Sequence, residues 1–327
     1  MHNFEFMAPT TVGVAVQALS DKPGVSEVLM GGTDTVSLLK ERIYEPTRVV
    51  SLSRIAGLKG AGKAGSNFRI GSMTSLASLH SDKTVQKSFP ALVEAIEGIT
   101  SPQHRAMSTV GSDLLQRPRC WYFRQGFGLL GQDDDGKSLI PKGENRYHAI
   151  LGNKGPAYFV NASSLAPVLM ALDAEATVQG PEGSRQIPVA DLYQIPSSAD
   201  ERENTLKPNE VLTAILIPNS KAANATYEVR QRQLFDWPLA TASVSLDMKG
   251  GKVRGATVVM GHVAPQPWRS AEAESALEGK AVSEETAAAA AKAAVAAATP
   301  LSQNKHKVTL ASVAVKRAIL KAAGMGA

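Results

Sequence analysis

The sequence predicts an α+β protein, with an α/β N-terminal portion followed by a smaller unit of antiparallel strands and helices. Three observations carry this. A strand, a glycine turn, a helix and a second strand follow one another in "SEVLMGGTD", "TVSLLKERI" and "RVVSLS", a compact β-α-β unit. A composition shift near "NSKAANATY" marks a boundary around residues 220–226. Beyond it, the alternating strands "ATASVSLDM" and "GKVRGATVVMGHV" meet at Lys249–Gly251, where two glycines suit a hairpin turn. The chain's 327 residues suffice for two or three domains.

The elements follow in order. "TTVGVAVQALSD" reads as a helix with Thr10 or Thr11 as N-cap and Val14 and Leu19 on its apolar face. After the β-α-β unit, "NFRIGSM" is a strand, "SLASLHSD" and "FPALVEAIEGI" are helices, and "MSTVGSDLLQ" is a turn with a glycine at its centre. Residues Arg117 to Tyr147 read as a long polar loop, a feature that is functional or disordered in compact domains. "AYFVNASSLAPVLMALDAEATVQG" resumes as strand, turn, helix and strand, and "EVLTAILIP" is a further strand. Two helices close the chain. Ser283 caps the first, with Glu284 and Glu285 in its first turn, and the second ends at Gly324.

Composition excludes several function classes. A net charge of +5 is spread along the chain rather than clustered, so no nucleic-acid partner is expected. No run approaches a membrane span, so no membrane insertion is expected. The start lacks a basic stretch followed by an apolar run, and the expected compartment is the cytoplasm; a chain exported to the periplasm with a partner subunit would look the same. A single cysteine, Cys120, forbids an intrachain disulfide. None of the six histidines pairs at metal-ligand spacing, and no GxSxG elbow offers a nucleophile.

Three glycine patterns compete for a nucleotide. Gly60 to Gly65 spells GxGxxG, but strand-like text follows where a helix is required, so it reads as a loop. Gly131 to Ser138 spells a phosphate loop. Asp133, Asp134 and Asp135 would set negative charge inside its cradle, and Pro141 and Gly143 forbid the helix that should follow. That stretch reads as an acidic loop, disordered or partner-facing. The third pattern, "LMGGTDT" at residues 29–35, follows an apolar strand and precedes a helix, and its glycines let backbone N–H groups meet a diphosphate. A plain strand-to-helix turn fits it equally on spacing alone. A second such turn, "STVGSDLL" at 108–115, lets the pair bracket one long anionic cofactor.

These turns carry a resemblance. With "RIGSMTSLASL", "RPRCWYFR", "RYHAILGNKGPAYFVNASSLAPVLMALDA" and "NKHKVTLASVAVKRAI" in matching order, the chain resembles, nearly end to end, the FAD-binding medium subunit of the xanthine dehydrogenase, carbon monoxide dehydrogenase and aldehyde oxidoreductase (molybdenum hydroxylase) family. The resemblance implies a PCMH-type flavin fold. Two α/β subdomains, residues 1–55 and 56–222, hold FAD between them, and residues 223–327 form a C-terminal domain of a small antiparallel sheet with helices. It maps the first diphosphate loop onto Leu29, Met30, Gly31, Gly32, Thr33, Asp34 and Thr35. The second maps onto Thr109, Gly111, Ser112 and Asp113, with Val110 between them and Leu115 near the flavin ring.

Departures from the family pattern accompany the match. The usual Gly-Gly-Asn is Gly111-Ser112-Asp113, a common acidic position is Ser164, and a Lys that often approaches the flavin aligns with Glu228. A branch of the family holds a [4Fe-4S] cluster after the position of Cys120. Such clusters take four thiolates and this chain has one, so Cys120 reads as a small buried residue. Arg117, Arg119 and Arg124 read as a solvated or inter-subunit face, and Trp237 as core or interface.

The resemblance therefore implies an FAD-binding electron-transfer subunit with no catalytic acid or base of its own. The molybdenum cofactor is expected on a large subunit and [2Fe-2S] clusters on a small one. The alternative is an assembly subunit of the same fold with weakened or lost FAD binding. A stand-alone FAD oxidase would need a substrate pocket and base that the sequence does not display.

Overall fold

Among the described residues, short strands assemble three sheets, and several of the helices between them are capped by a side chain at their N-terminus. The structure, a computed structural model, describes residues 1–99, 101–233 and 235–326. The first sheet is parallel. It runs β1 (Glu5–Met7), α1 (Val12–Ala18), β2 (Ser26–Leu29), α2 (Thr35–Lys40) and β3 (Arg48–Ser51), with strand order β1-β3-β2. Thr11 caps α1 through its side chain, as expected. The face α1 buries is Ala15, Val16 and Ala18. Val14, expected on that face, is exposed, while Leu19, just past the end of the helix, is buried as expected.

The second sheet is antiparallel and five-stranded. Its members are β4 (Ala61–Ala64), β5 (Asn67–Gly71), β6 (Glu175–Gly180), β7 (Gly183–Pro188) and β8 (Val211–Pro218), in the order β4-β5-β8-β6-β7. The GxGxxG stretch is not a loop. It forms β4 and the turn into β5, because Lys63 and Ala64 pair with Phe68 and Asn67. Between β5 and β6 run α3 (Leu76–His80), α4 (Lys83–Ser88), α5 (Pro90–Gly98), α6 (Pro102–Met107), α7 (Val110–Leu114), α8 (Trp121–Arg124) and α9 (Leu165–Ala171). Pro90 sits in the first turn of α5, where its missing N–H costs nothing. Leu76, Leu92, Ile96, Leu165 and Leu169 join Phe68, Ile70 and Ile215 in one core.

The third sheet holds β9 (Ala223–Val229), β10 (Ala240–Lys249), β11 (Lys252–Gly261) and β12 (Trp268–Arg269), in the order β12-β11-β10-β9. The expected hairpin is present. Lys249 pairs with Lys252, and Gly250 and Gly251 both hold positive φ, which a two-residue turn of this hand requires. Helices α10 (Ala271–Leu277), α11 (Glu284–Ala294) and α12 (His306–Ala322) cover this sheet, three helices rather than two. Ser283 and Thr286 complete a capping box on α11. This unit is tied to α5: Asn224 accepts from the Ala91 N–H at 3.1 Å, and Glu94 accepts from the Thr226 N–H at 2.8 Å.

Two further expectations are corrected. Residues 157–160 join no sheet; Tyr158 accepts one bond, from the Ala149 N–H, and the next residue, Asn161, donates to the Ala264 carbonyl. The long 117–147 segment is built rather than loose. Phe123, Leu129, Leu130 and Ile140 bury against Leu38 and Phe159 in a core of their own. Its acidic tip is a small closed turn. Gln132 bridges Ser138, and the Asp133 carboxylate accepts from the Asp135 and Lys137 N–H groups at 3.2 and 2.9 Å.

Candidate functional site

The two glycine turns meet. Met30, Gly32, Asp34 and Thr35 from the first, and Gly111, Ser112 and Leu115 from the second, line one cleft. Arg117, Arg202 and Asn204 complete part of its wall. The contact is close because neither turn carries a side chain at its crossing. A Cβ on Gly31 would overlap the Met107 carbonyl oxygen, and one on Gly111 would stand 2.6 Å from the Met30 sulfur. Asp113 and Ser164 line an adjoining pocket with Ser101, His104 and Trp237. Leu29 ends β2 just before the first turn; Leu29, Gly31 and Thr33 are not among the residues that line the cleft, and Thr109 is the N-cap of α7.

The turns differ as donor sets. Among the described residues, the main-chain N–H groups of Gly32 and Thr33 meet no acceptor, and Gly32 holds φ of 75°. The second stretch is a single helical turn rather than a bare loop. Val110 donates to the Thr74 carbonyl, Gly111 to the Ser72 carbonyl, and Thr109 and Ser112 close a capping box on each other. Ser112 thus takes up the N–H of Thr109 with its own hydroxyl at 2.7 Å.

Charge around the turns is arranged by residues the sequence reading put on a surface. Arg117, Arg119 and Arg124 are not a solvated face; they fold inward against α2. The Asp34 carboxylate accepts from the Arg117 N–H at 2.8 Å and pairs with Arg124 at 2.9 Å and Arg119 at 3.2 Å. Two guanidiniums on one carboxylate leave a surplus positive charge beside the first turn. Arg117 turns its own side chain to Glu203 at 2.6 Å, and burial pushes its pKa down to about 10. The signal was present in "RPRCWYFR", three arginines directly after the second turn, but their partner Asp34 lies 83 residues upstream of Arg117.

Asp113 does not face the cleft as a free charge. Its carboxylate accepts from the Ser163 hydroxyl at 2.5 Å, the Leu165 N–H at 3.0 Å and the Gln116 amide at 3.1 Å, and so ties α7 to the start of α9. Burial raises its pKa to about 6 against those hydrogen bonds. Glu228 is also buried and pairs with Arg230; burial raises its pKa to about 6. Trp237 stands half exposed beside the adjoining pocket, with the Arg119 guanidinium 4.5 Å above its ring. Cys120 is buried 3.2 Å from the His148 ring, and burial pushes its thiol pKa up, away from the reactive thiolate. Among the described residues no group of three or more His, Cys, Asp or Glu is placed to hold a metal ion, and no helix is long and apolar enough to cross a membrane.

Two neighbouring free N–H donors, closely crossed glycines and surplus positive charge fit the diphosphate of a dinucleotide at the first turn. The second turn adds shape rather than donors, since its N–H groups and the Ser112 hydroxyl, which accepts from the Thr109 N–H and donates to the Thr109 carbonyl, are engaged.

Residues 2–220 match the family model described as the FAD binding domain in molybdopterin dehydrogenase, and residues 225–322 match the CO dehydrogenase flavoprotein C-terminal domain. The chain is 29% identical over 321 residues to the carbon monoxide dehydrogenase medium chain of Hydrogenophaga pseudoflava, covering 97% of this chain and 96% of that one. It is 27% identical to the aldehyde oxidoreductase FAD-binding subunit PaoB of Escherichia coli (strain K12), covering 95% of both. A solved structure of carbon monoxide dehydrogenase from Hydrogenophaga pseudoflava, lacking the Mo-pyranopterin moiety of its molybdenum cofactor, superposes with a TM-score of 0.76 at 27% identity, covering 99% of both chains. With residues 2–220 inside its model, the chain belongs to the FAD-binding family of the molybdopterin dehydrogenases.

Proposed function

We propose that this chain is the FAD-binding electron-transfer subunit of a heteromeric molybdenum hydroxylase. It takes electrons from a [2Fe-2S] small subunit and passes them through FAD to an external acceptor, while the substrate is oxidised on a molybdenum-cofactor large subunit. It works only within that complex, in the cytoplasm. The observation that carries this reading is the meeting of the two glycine turns at one cleft, with Gly32 and Thr33 offering unclaimed N–H donors beside a surplus guanidinium charge.

In this reading Gly32, Thr33 and Thr35 hold the diphosphate, and Gly31 and Gly111 keep the two turns close enough to share it. Met30, Ser112 and Leu115 line the cleft, and Asp113 and Ser164 position the start of α9 at the flavin side. FAD, when bound, supplies both one-electron and two-electron chemistry, which lets one chain join an iron–sulfur donor to a different acceptor. The protein's part is to bind, to orient and to set the local charge. The division into residues 1–55, 56–222 and 223–327 belongs to the same proposal, with the cleft between the first two.

One observation favours the assembly reading. The second turn spends its N–H groups on the protein itself. The two readings separate in one measurement. The chain, purified with its co-expressed partner subunits, shows visible flavin absorption at one flavin per chain if it carries electrons. A colourless complex that still assembles overturns that reading in favour of assembly. Bleaching of flavin by substrate in the isolated chain would instead make it a stand-alone oxidase.

A further inference from the structure

Between β9 and β10 the described residues form neither helix nor strand, and this strap runs between two cavities. Asp236, Trp237 and Pro238 line both: the pocket that holds Asp113 and Ser164, and a larger cavity of about 520 Å³. A segment with open volume on both sides has room to move. Its own bonds are local. The Asp236 carboxylate accepts from the Arg232 and Trp237 N–H groups at 3.0 and 3.1 Å, both within the strap. Phe235 holds φ of 53°, which a bulky side chain rarely adopts. Two side chains of the body reach the strap. The Tyr147 hydroxyl donates to Gln231 at 3.1 Å, and the Arg119 guanidinium lies 4.5 Å from the centre of the Trp237 ring.

Arg119 also reaches the first glycine turn, where it pairs at 3.2 Å with Asp34, two residues after Gly32. Of the three arginines gathered there it is the most loosely held. Arg124 pairs with Asp34 at 2.9 Å and donates to the Pro118 and Arg117 carbonyls at 2.9 and 3.1 Å. Arg117 pairs with Glu203 at 2.6 Å. Arg119 otherwise donates to the Gln116 side chain at 3.3 Å, and its buried Nε has no hydrogen-bond partner among the described residues. A buried guanidinium N–H without an acceptor is costly, so an anion within reach draws this side chain first. One residue thus joins the turn that offers the Gly32 and Thr33 N–H groups to the half-exposed ring of Trp237.

We propose that Arg119 is a positioning residue that gears the first glycine turn to the Trp237 strap: a diphosphate seated at the turn draws the guanidinium off the Trp237 ring and so releases the strap. The proposal rests on the cofactor reading above and adds the part of the chain that responds when the cofactor binds. Charge sets the direction. Two guanidiniums share the one Asp34 carboxylate, and an added anion gives the second a partner of its own. The coupling runs both ways, so whatever weakens the stack on Trp237 strengthens anion binding at the turn. A cation–ring stack at a half-exposed site corresponds to about two- to fivefold in affinity.

The test titrates the full chain, freed of flavin, with ADP, which carries a diphosphate and does not absorb tryptophan emission. Calorimetry reads affinity and tryptophan emission reads the strap. ADP should bind, and emission should change in step with occupancy. In Trp237→Phe that change should vanish while binding persists, which separates Trp237 from Trp121 and Trp268. Trp237→Ala should bind ADP about two- to fivefold tighter than the parent. Arg119→Gln should weaken binding, and in that background Trp237→Ala should add nothing, since the stack is already gone. A plain packing role for Trp237 would neither tighten binding nor depend on Arg119. The proposal is overturned if ADP binds with no emission change that needs Trp237, if Trp237→Ala binds it no tighter, or if that gain persists in Arg119→Gln. Absence of ADP binding also overturns it, and takes the cofactor reading with it only if FAD fails to bind as well. If ADP moves Trp237 but the assembled complex carries no flavin, the electron-transfer reading falls and the coupling stands.

Discussion

A side chain at position 31 has no room, because its Cβ would occupy the place of the Met107 carbonyl oxygen, which is backbone and cannot swing aside. Gly31→Val must therefore push the first turn away from the second. The expected outcome is loss of flavin from the purified complex, read from the visible spectrum. Gly62→Ala, whose Cβ would meet nothing within 4 Å, serves as the control and keeps both flavin and stability. Asp34 makes the complementary case. It neutralises Arg119 and Arg124 and receives the Arg117 N–H, all in a largely buried setting. Asp34→Asn leaves two guanidiniums without a carboxylate and should lower unfolding free energy by about 3 kcal/mol in a urea titration. At this scale the glycines were legible, since a strand, two glycines and a helix is a local pattern. The Asp34 clamp was not. Its arginines were visible, but the fold alone decides that they return to a carboxylate on α2 rather than to solvent.

The short helix α7 shows how much one substitution can do at the scale of an element. Ser112 closes its capping box and so consumes the Thr109 N–H next to the cleft-lining Gly111 and Ser112. Ser112→Gly removes that closure and adds a glycine to a helix. It should cost about 1 kcal/mol of stability, yet tighten flavin binding because Thr109 regains a free donor. Flavin dissociation measured by dialysis alongside thermal unfolding checks both signs, and unchanged or weaker binding contradicts the second. Most elements were readable because their apolar period is local: Thr11, Ser283 and the Gly250-Gly251 turn each mark an end with a mechanism. Those misread are the short ones. Five residues of α7 carry too little periodicity to separate a helix from a turn. Helix α10 is only seven residues long, and β4 owes its strand form to pairing with β5 rather than to its own glycine-rich composition.

At the scale of the whole molecule, four deeply buried groups among the described residues pull in opposite directions as pH falls. Asp113 and Glu228 have pKa values raised to about 6 from ordinary values of 3.8 and 4.5. Between those limits the folded protein binds more protons than the unfolded chain, so each contributes stability as pH falls. His148 and His262 have values lowered to about 4 and about 3 from 6.5. There the unfolded chain binds more protons, so each removes stability as pH falls below 6.5. Each group acts at roughly 1.4 kcal/mol per pH unit. Two against two, these four contributions nearly cancel from pH 6 to about 4.5, which leaves the parent's slope there to other groups such as His104, whose pKa burial lowers from 6.5. Single substitutions unbalance the four. Asp113→Asn removes one gain, so its unfolding free energy should fall by about 1.4 kcal/mol per pH unit relative to the parent on acidification through this window. His262→Asn removes one loss and should rise by a similar slope. Urea midpoints for the three proteins across the window decide the matter. Parallel curves would mean that these carboxyls and imidazoles do not titrate as their burial dictates, and that the acid response belongs to the exposed ion pairs instead.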